Sequence, residues 1–468
     1  MKVLPPDRTT DDTVDQADGE ANPSAPAPVG TAQEEIQKRK RLIVSTTLVQ
    51  SCTLVIGLVS SVATSRGLGP TGRGYFANII GVAVAAHVLG HMSVEQSQTY
   101  QWVRGVDRRT LASNAVVLGL LNGMLAASVA WIIVRVVAPG AFPNIEPRNL
   151  ALGLLAVPMN VVTLYLQQLT RLDDRIHWYN RLRLVSSAAY MVAVLVLWRT
   201  HQLTVFRAIV TWLVSVSVPA FFYLRGFGAR PRHIRGAVAW KTIRLGLAYH
   251  PAMASVFLLW RVDQFLVNDK TSTAKVGLYV TAVTVAEMAQ VLTAALSQVM
   301  LPKQTQGSLV DATTFTSVVV RVNLLFSCVV AIGLAVASPI AITLVYGSEF
   351  RGAIVPLLAL LPGVVGASVL GPCQTVLVRL NKPSRVAMIY FSMLALNVVL
   401  NLLLIPVLGI TGASLSSTIA YLILSCLMIN WISRSTKHPL REFVPGMADL
   451  RTLIGILPGR RAHQFGQG

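Results

Sequence analysis

Between residues 42 and 432 the chain returns repeatedly to apolar stretches of about 20 residues, separated by short polar connections. Twenty residues of α-helix rise about 30 Å, the thickness of a bilayer's hydrocarbon core. A globule of this size has too little interior to hide so many apolar stretches from water. Composition agrees: 53% of residues are hydrophobic and 13% charged, against about 25% charged in soluble domains. The spans read as 42–64, 75–96, 111–137, 149–170, 183–200, 205–224, 246–268, 276–300, 317–338, 353–378, 385–405 and 409–432. The expected fold class is therefore an all-α polytopic membrane protein of about 12 transmembrane helices.

The formal net charge is +20, but the basic residues lie in short patches between spans, which argues against a nucleic-acid surface. With both termini cytoplasmic, the connections on that side hold most of the 40 Lys and Arg residues, as the positive-inside rule requires. The strongest patch is Arg225, Arg230, Arg232 and Arg235. It reads first as a topology signal and second as a membrane-surface contact. It also divides the chain. The expected units are a disordered tail (1–37), a six-helix lobe (38–224), a basic connection (225–244), a second six-helix lobe (245–433) and a basic tail (434–468). The first tail is rich in Asp, Glu, Pro and Ala and cannot bury enough apolar area to order itself.

Two lobes of six spans point the same way, which fits a parallel repeat with a site between the lobes. A weak echo supports the repeat: Gly74-Tyr-Phe-x-x-Ile79 follows the first span, and Gly277-Leu-Tyr-x-x-Ala282 follows the seventh. Cys52, Cys328, Cys373 and Cys426 are isolated in apolar segments and read as small buried hydrophobes. No phosphate-binding G-x-x-x-x-G-K-[ST] sequence occurs, so ATP-driven transport by this chain alone is not expected. No cofactor or metal site is expected.

Charge inside a span costs about 2.5–3.5 kcal/mol on insertion scales and marks a cavity or a partner. Arg261, Asp263, Glu287 and Arg321 are such charges, with Glu95 and Arg135 nearer span ends. Arg261 and Asp263 are two residues apart and cannot face each other on a helix. Helical rise puts Arg261 and Glu287 at comparable depth on adjacent antiparallel spans, where they can pair. The connection Arg66-Gly-Leu-Gly-Pro-Thr-Gly-Arg73-Gly reads as a tight turn. Its glycines can leave N–H groups open as an anion nest, flanked by Arg66 and Arg73, whose planar forks suit phosphate. His87 and His91 share a face of the second span, as buried polar groups or a proton relay. Asn397 and Asn401 share a face of the eleventh, for interhelical hydrogen bonds or substrate contact.

These residues carry a resemblance. The Arg66–Ala77 segment, Arg261-Val-Asp263-Gln-Phe-Leu with Gly277-Leu-Tyr279 and Glu287, Tyr346-Gly-Ser-Glu-Phe350-Arg-Gly-Ala353, and Asn397-Val-Val-Leu-Asn401-Leu-Leu-Leu-Ile-Pro406 through Gly412-Ala413 resemble, in this order, four blocks of the O-antigen-type polysaccharide-biosynthesis flippases. That family lies in the multidrug/oligosaccharidyl-lipid/polysaccharide exporter superfamily. The resemblance implies two lobes around a central cavity, alternating access, and a polyprenyl-diphosphate-linked saccharide as cargo. It makes Arg66, Arg73 and Arg261 diphosphate candidates and Asp263 and Glu287 ion-coupling or pairing candidates. His87, His91, Asn397 and Asn401 remain other cavity candidates. The chain is further expected to be a monomer in the cytoplasmic membrane, in contact with membrane lipid and with glycosyltransferases or a polysaccharide polymerase as partners, without nucleic acid and without enzymatic activity. The rival readings are a multidrug or cation antiporter of the same superfamily, and a membrane enzyme or scaffold of envelope polysaccharide assembly. An antiporter for cations would want an acidic, aromatic cavity, and an enzyme would want catalytic groups on sizeable loops.

Overall fold

The computed structural model describes residues 29–142, 145–304, 308–380, 382–446 and 449. The expected acidic tail falls largely on residues 1–28, and most of the expected basic tail on residues beyond 446; both lie outside the described residues. Residues up to Thr46 form a unit of their own, and the compact body begins at Thr47. The expected tail of residues 1–37 is too long, because helix already begins at Val29.

The described residues fold into helices only. Helix α1 (Val29–Gly90) contains Gly69 at φ 65° and ψ 176° and is two helices joined at one residue. Glycine is needed there because that backbone puts a Cβ in collision. Pro70 restarts the helix where a missing N–H costs nothing. The expected tight turn is thus a one-residue kink between two helices. Then follow α2 (Val94–Val103), α3 (Arg108–Ile132), α4 (Pro147–Leu172), α5 (Ile176–Arg199) and α6 (Val205–Phe227). The second series is α7 (Gly236–Lys270), α8 (Thr273–Gln304), α9 (Leu309–Ala341), α10 (Ile354–Ala367), α11 (Leu370–Arg379), α12 (Pro383–Leu408) and α13 (Ile410–Thr436).

Among the described residues, ten helical stretches are long and apolar enough to span a bilayer. The first of them, Leu48–Val103, crosses twice because of the Gly69 kink. The α7 helix is long enough to span and is left out of the ten only because its composition is too polar. Counting both gives the expected dozen. Large apolar side chains cover the outside, as with Val407 at 79% exposure, so the lipid-facing surface is apolar. The expected connection 225–244 is shorter than its charge pattern suggests. Helix resumes at Gly236, because a basic amphipathic segment can extend a span into the headgroup layer.

Two large cores make two lobes, with a third, smaller cluster of Val267, Val276, Tyr279, Ile405, Ile410 and Ala413 in the second. One buried cluster runs from Ala63 to Phe227, and another from Leu259 to Phe443. The lobes repeat in detail. The α3 helix ends in a π-helical turn (Ile133–Val137) and a 3-10 turn (Pro139–Ala141), and α9 ends in the same pair, Ile342–Tyr346 and Ser348–Ala353. The repeat meets itself at the lobe contact. A Cβ on Gly74 would lie 1.9 Å from the Thr273 carbonyl oxygen, and one on Gly277 would lie 2.0 Å from that of Pro70. Each glycine meets the residue four before the other, the signature of a two-fold relation. The faint echo between residues 74 and 277 is the place where the two lobes touch most closely.

Candidate functional site

The contacts around the kink clasp the lobes at one end of the bundle, opposite the basic connections. Asn78 donates from Nδ2 to Asn268 Oδ1 at 2.5 Å, and Asn268 donates in turn to the Ala141 carbonyl. Arg66 donates from Nε to the Val345 carbonyl at 2.7 Å and from Nη2 to that of Leu344. A π-helical end leaves carbonyls without intrahelical donors, and Arg66 supplies them from the other lobe. Arg66 is therefore spent on the clasp and does not line the cavity below. Arg66→Ala is expected to speed amide exchange across residues 342–347 by roughly 10- to 150-fold, since a charged hydrogen bond contributes about 1.5–3 kcal/mol. Arg66→Lys, with one point donor, should fall between.

Beneath the clasp lies a cavity of about 190 Å³ whose lining includes Arg73, Phe76, Gly81, Arg261, Gln264 and Phe265. The second limb of α1 contributes Arg73, and α7 contributes Arg261, one from each lobe. Arg73 is 8% exposed. Its Nη2 is 3.4 Å from Ser61 Oγ and its guanidinium carbon is 5.8 Å from the Phe76 ring centre. Its Nε is buried with no hydrogen-bond partner among the described residues, and no carboxylate pairs with it. Gln264 donates to the Ala77 carbonyl at 2.9 Å and braces the wall. A second, apolar groove of about 420 Å³ runs alongside between α1, α3 and α7, and Phe265 borders both.

Arg261 and Glu287 pair at 2.9 Å, as their depths predict, and each side chain keeps over a third of its surface accessible. The pair faces open space rather than a packed seam. Asp263, which lines a narrow pocket of about 10 Å³ together with Glu287, is held within the bundle. It is buried, accepts from Tyr279 Oη, from Ser417 Oγ at 2.9 Å and from the Gln264 N–H at 2.7 Å. Asn397 approaches Ser417 Oγ at 3.4 Å, and Asn401 donates to Asn397 Oδ1 at 3.0 Å. Asn397 and Asn401 are fully buried and do not line the cavity. In hydrocarbon, polar side chains find partners inside the bundle, and here they link α7, α12 and α13 behind Asp263. Tyr279 and Ser417 escape sequence reasoning because hydroxyls inside spans are common and carry no pattern.

His87 and His91 also lie off the cavity lining. They join His250 of α7 in a row with ring centres 5.7 and 5.4 Å apart. His91 Nδ1 is 3.3 Å from Glu95, and Ser93 Oγ is 3.3 Å from His250 Nδ1. The break between α1 and α2, with Met92 and Ser93 at positive φ, brings these groups to α7. His250 has no sequence signal, since only tertiary packing puts it beside His91. Arg321 binds Asp449 at 3.0 Å and the Glu442 carbonyl, so it ties down the segment after α13. Glu95 rests against His91 with its Oε2 buried and without a hydrogen-bond partner among the described residues, and Arg135 reaches the Ile145 carbonyl at 3.4 Å.

No family model and no curated protein sequence matches the chain. Solved structures do match. A structure of the lipid II flippase MurJ in an inward closed conformation superposes at TM-score 0.68 with 13% identity, covering 88% of this chain and 90% of the other. An inward-facing multidrug resistance MATE family transporter of the MOP superfamily reaches 0.60 at 12% identity, covering 85% and 95%. A MOP superfamily transporter from Pyrococcus furiosus, described as having a binding pocket of reverse polarity, reaches 0.57 at 14% identity, covering 86% and 95%. These are transporters and a flippase, and the expected architecture of two helical lobes is shared with them over 85–88% of the chain. The chain is a multi-pass membrane protein with the two-lobed fold shared by MATE transporters and the MurJ flippase.

Proposed function

We propose that this protein moves a polyprenyl-diphosphate-linked saccharide across the cytoplasmic membrane by alternating access, with its basic connections on the cytoplasmic side. The observation that carries this reading is Arg73, a buried guanidinium without a carboxylate, facing the same cavity as Arg261. A buried charge is costly unless something pairs with it, and a phosphate headgroup is the natural complement to two Arg forks. The apolar groove beside the cavity suits the isoprenoid chain of the same molecule.

At about 190 Å³ the cavity has room for about six waters at roughly 30 Å³ each. It is smaller than typical small-molecule sites of about 300–1,000 Å³. The clasped state is therefore a between-cargo state, and the saccharide needs the lobes apart. Asp263 and Glu287 are the coupling candidates. Glu287 competes with cargo for Arg261, and Asp263 sits in a hydroxyl and amide network that a bound ion could reorganise.

The test is transfer in proteoliposomes of a fluorescent short-chain polyprenyl-diphosphate saccharide, beside an organic-cation efflux assay. Transfer of the diphosphate lipid, with weak transfer of the same lipid carrying a neutral head, supports the reading. Cation efflux without lipid transfer supports the antiporter instead.

A further inference from the structure

A second cationic site lies at the other end of the first lobe, far from the cavity. The sequence separates its parts: Arg108 and Arg109 open α3, Arg225 lies in the last turn of α6, and Arg230 and Arg232 lie between α6 and α7. The fold brings all five together around a basin of about 680 Å³.

The basin is built rather than incidental. The connection from α6 to α7 is pinned to α3 by two nearly buried side chains. Ser113 Oγ accepts from the Arg230 N–H at 3.1 Å. Asn114 accepts from the Arg235 N–H and donates to its carbonyl, both at 3.1 Å. The backbone is thus fixed while the guanidiniums are presented. Phe227 lies 5.0 Å beneath Arg108, and Phe221 lies 5.4 Å from Arg225.

The nearby acids are already used. Asp173 pairs with Arg108 at 3.0 Å and with Arg175 at 2.8 Å. Asp107 caps α3, accepting from the Thr110 N–H at 3.0 Å, and that hydrogen bond holds its carboxyl below the ordinary range. Among the described residues, Arg109, Arg225, Arg230 and Arg232 form no ion pair. Four unpaired guanidiniums around one basin repel one another unless an anion joins them. The N-terminus of α3 adds a further positive partial charge.

Its depth in the membrane decides what anion. The walls are the first turn of α3 and the last turn of α6, where two apolar spans end. Span ends lie at the level of lipid phosphates. Basic pockets between helices at that level take anionic headgroups, and the volume exceeds what one phosphate fills. We propose that this basin holds a resident anionic phospholipid whose headgroup carries two phosphates, of the cardiolipin type, drawn from the leaflet at the basic end of the bundle. This does not depend on what the central cavity carries.

The full-length protein in detergent, stripped of lipid, is titrated with cardiolipin, phosphatidylglycerol and phosphatidylethanolamine and followed by native mass spectrometry. Cardiolipin should bind most tightly, with the neutral headgroup weakest. The double variant Arg230→Gln/Arg232→Gln, on exposed side chains, should weaken cardiolipin by roughly 30-fold, the effect of removing two surface guanidiniums. Arg109→Gln alone should weaken it severalfold. Arg434→Gln/Lys437→Gln, of equal charge change in the other lobe, should leave it unchanged. Equal binding of all three lipids by the wild-type protein, or equal losses in the control pair, overturns the proposal. Inorganic pyrophosphate displacing the lipid at equal concentration also overturns it, in favour of a free-phosphate site.

Discussion

Arg73→Gln should lower lipid-diphosphate transfer at least tenfold while leaving the protein as heat-stable as the parent, or more so. The two halves of this expectation come from one fact. Arg73 is buried without a carboxylate partner, so the resting protein carries the desolvation cost of its charge. Replacing a buried charged group by a neutral one of similar length is often neutral or stabilising. If the cargo phosphate is the missing partner, removing the guanidinium costs about 2–5 kcal/mol of binding, roughly 30- to several-thousand-fold. Arg73→Lys should fall between, because it keeps the charge but loses the fork. Arg261→Gln differs in a diagnostic way. It strands Glu287, 2.9 Å away, so transfer and stability should fall together, and Arg261→Gln/Glu287→Gln should recover stability without transfer. Transfer assays and thermal melts of the four variants decide the matter. Wild-type transfer by Arg73→Gln would remove Arg73 from the cargo site.

The second large effect is expected at the lobe contact. Gly74→Ala or Gly277→Ala places a methyl group about 2 Å from a backbone oxygen of the other lobe, so the helices must separate by about 1 Å. Overpacking of this kind costs about 1–3 kcal/mol. The strain falls only on the clasped state, because both glycines pack between the lobes and neither supports a lobe's own core. The ratio of clasped to unclasped protein should therefore drop by roughly 5- to 150-fold. A cysteine at Val84, on the cavity wall, reports it in a background lacking the four native cysteines. Labelling by a membrane-impermeant maleimide added at the clasped end should rise in either variant, with the melting temperature little changed. The double variant should add little, since both substitutions relieve through the same displacement. Unchanged labelling would show that the contact does not gate the cavity.

The repeat explains how the lobe contact follows from so little sequence signal. The contact lies at a point where each lobe contributes a glycine and a helix start. The hydrogen bonds of Arg66, Asn78 and Asn268 all lie on that same surface. On the proposed alternating access they add to the closed state and would be lost together. Such shared, few-contact surfaces are what allow two states to lie within a few kcal/mol of each other.

The Arg261–Glu287 pair was readable from the sequence because both residues sit on adjacent antiparallel helices. Rise per residue then sets their depth without further information. Asp263, on the same helix, was only half readable. The rule that i and i+2 diverge separated it from Arg261, but Tyr279 and Ser417 became its partners only when α8 and α13 packed against α7. Arg66 shows the opposite outcome. An Arg beside glycines suits phosphate, yet the end of α9, 279 residues on, presents carbonyls that take it first.

What the sequence determined by itself is the part governed by local composition: spans of bilayer length, their number, the basic ends, and which few charges must be hidden. Water and lipid sort apolar from polar residues one span at a time, so no distant partner is needed. Only the tertiary structure decided which of those hidden charges stay unpaired. That depends on side chains from both lobes arriving at the same depth, and it singled out Arg73, the one of three phosphate candidates that reaches the cavity without a carboxylate or carbonyl to hold it.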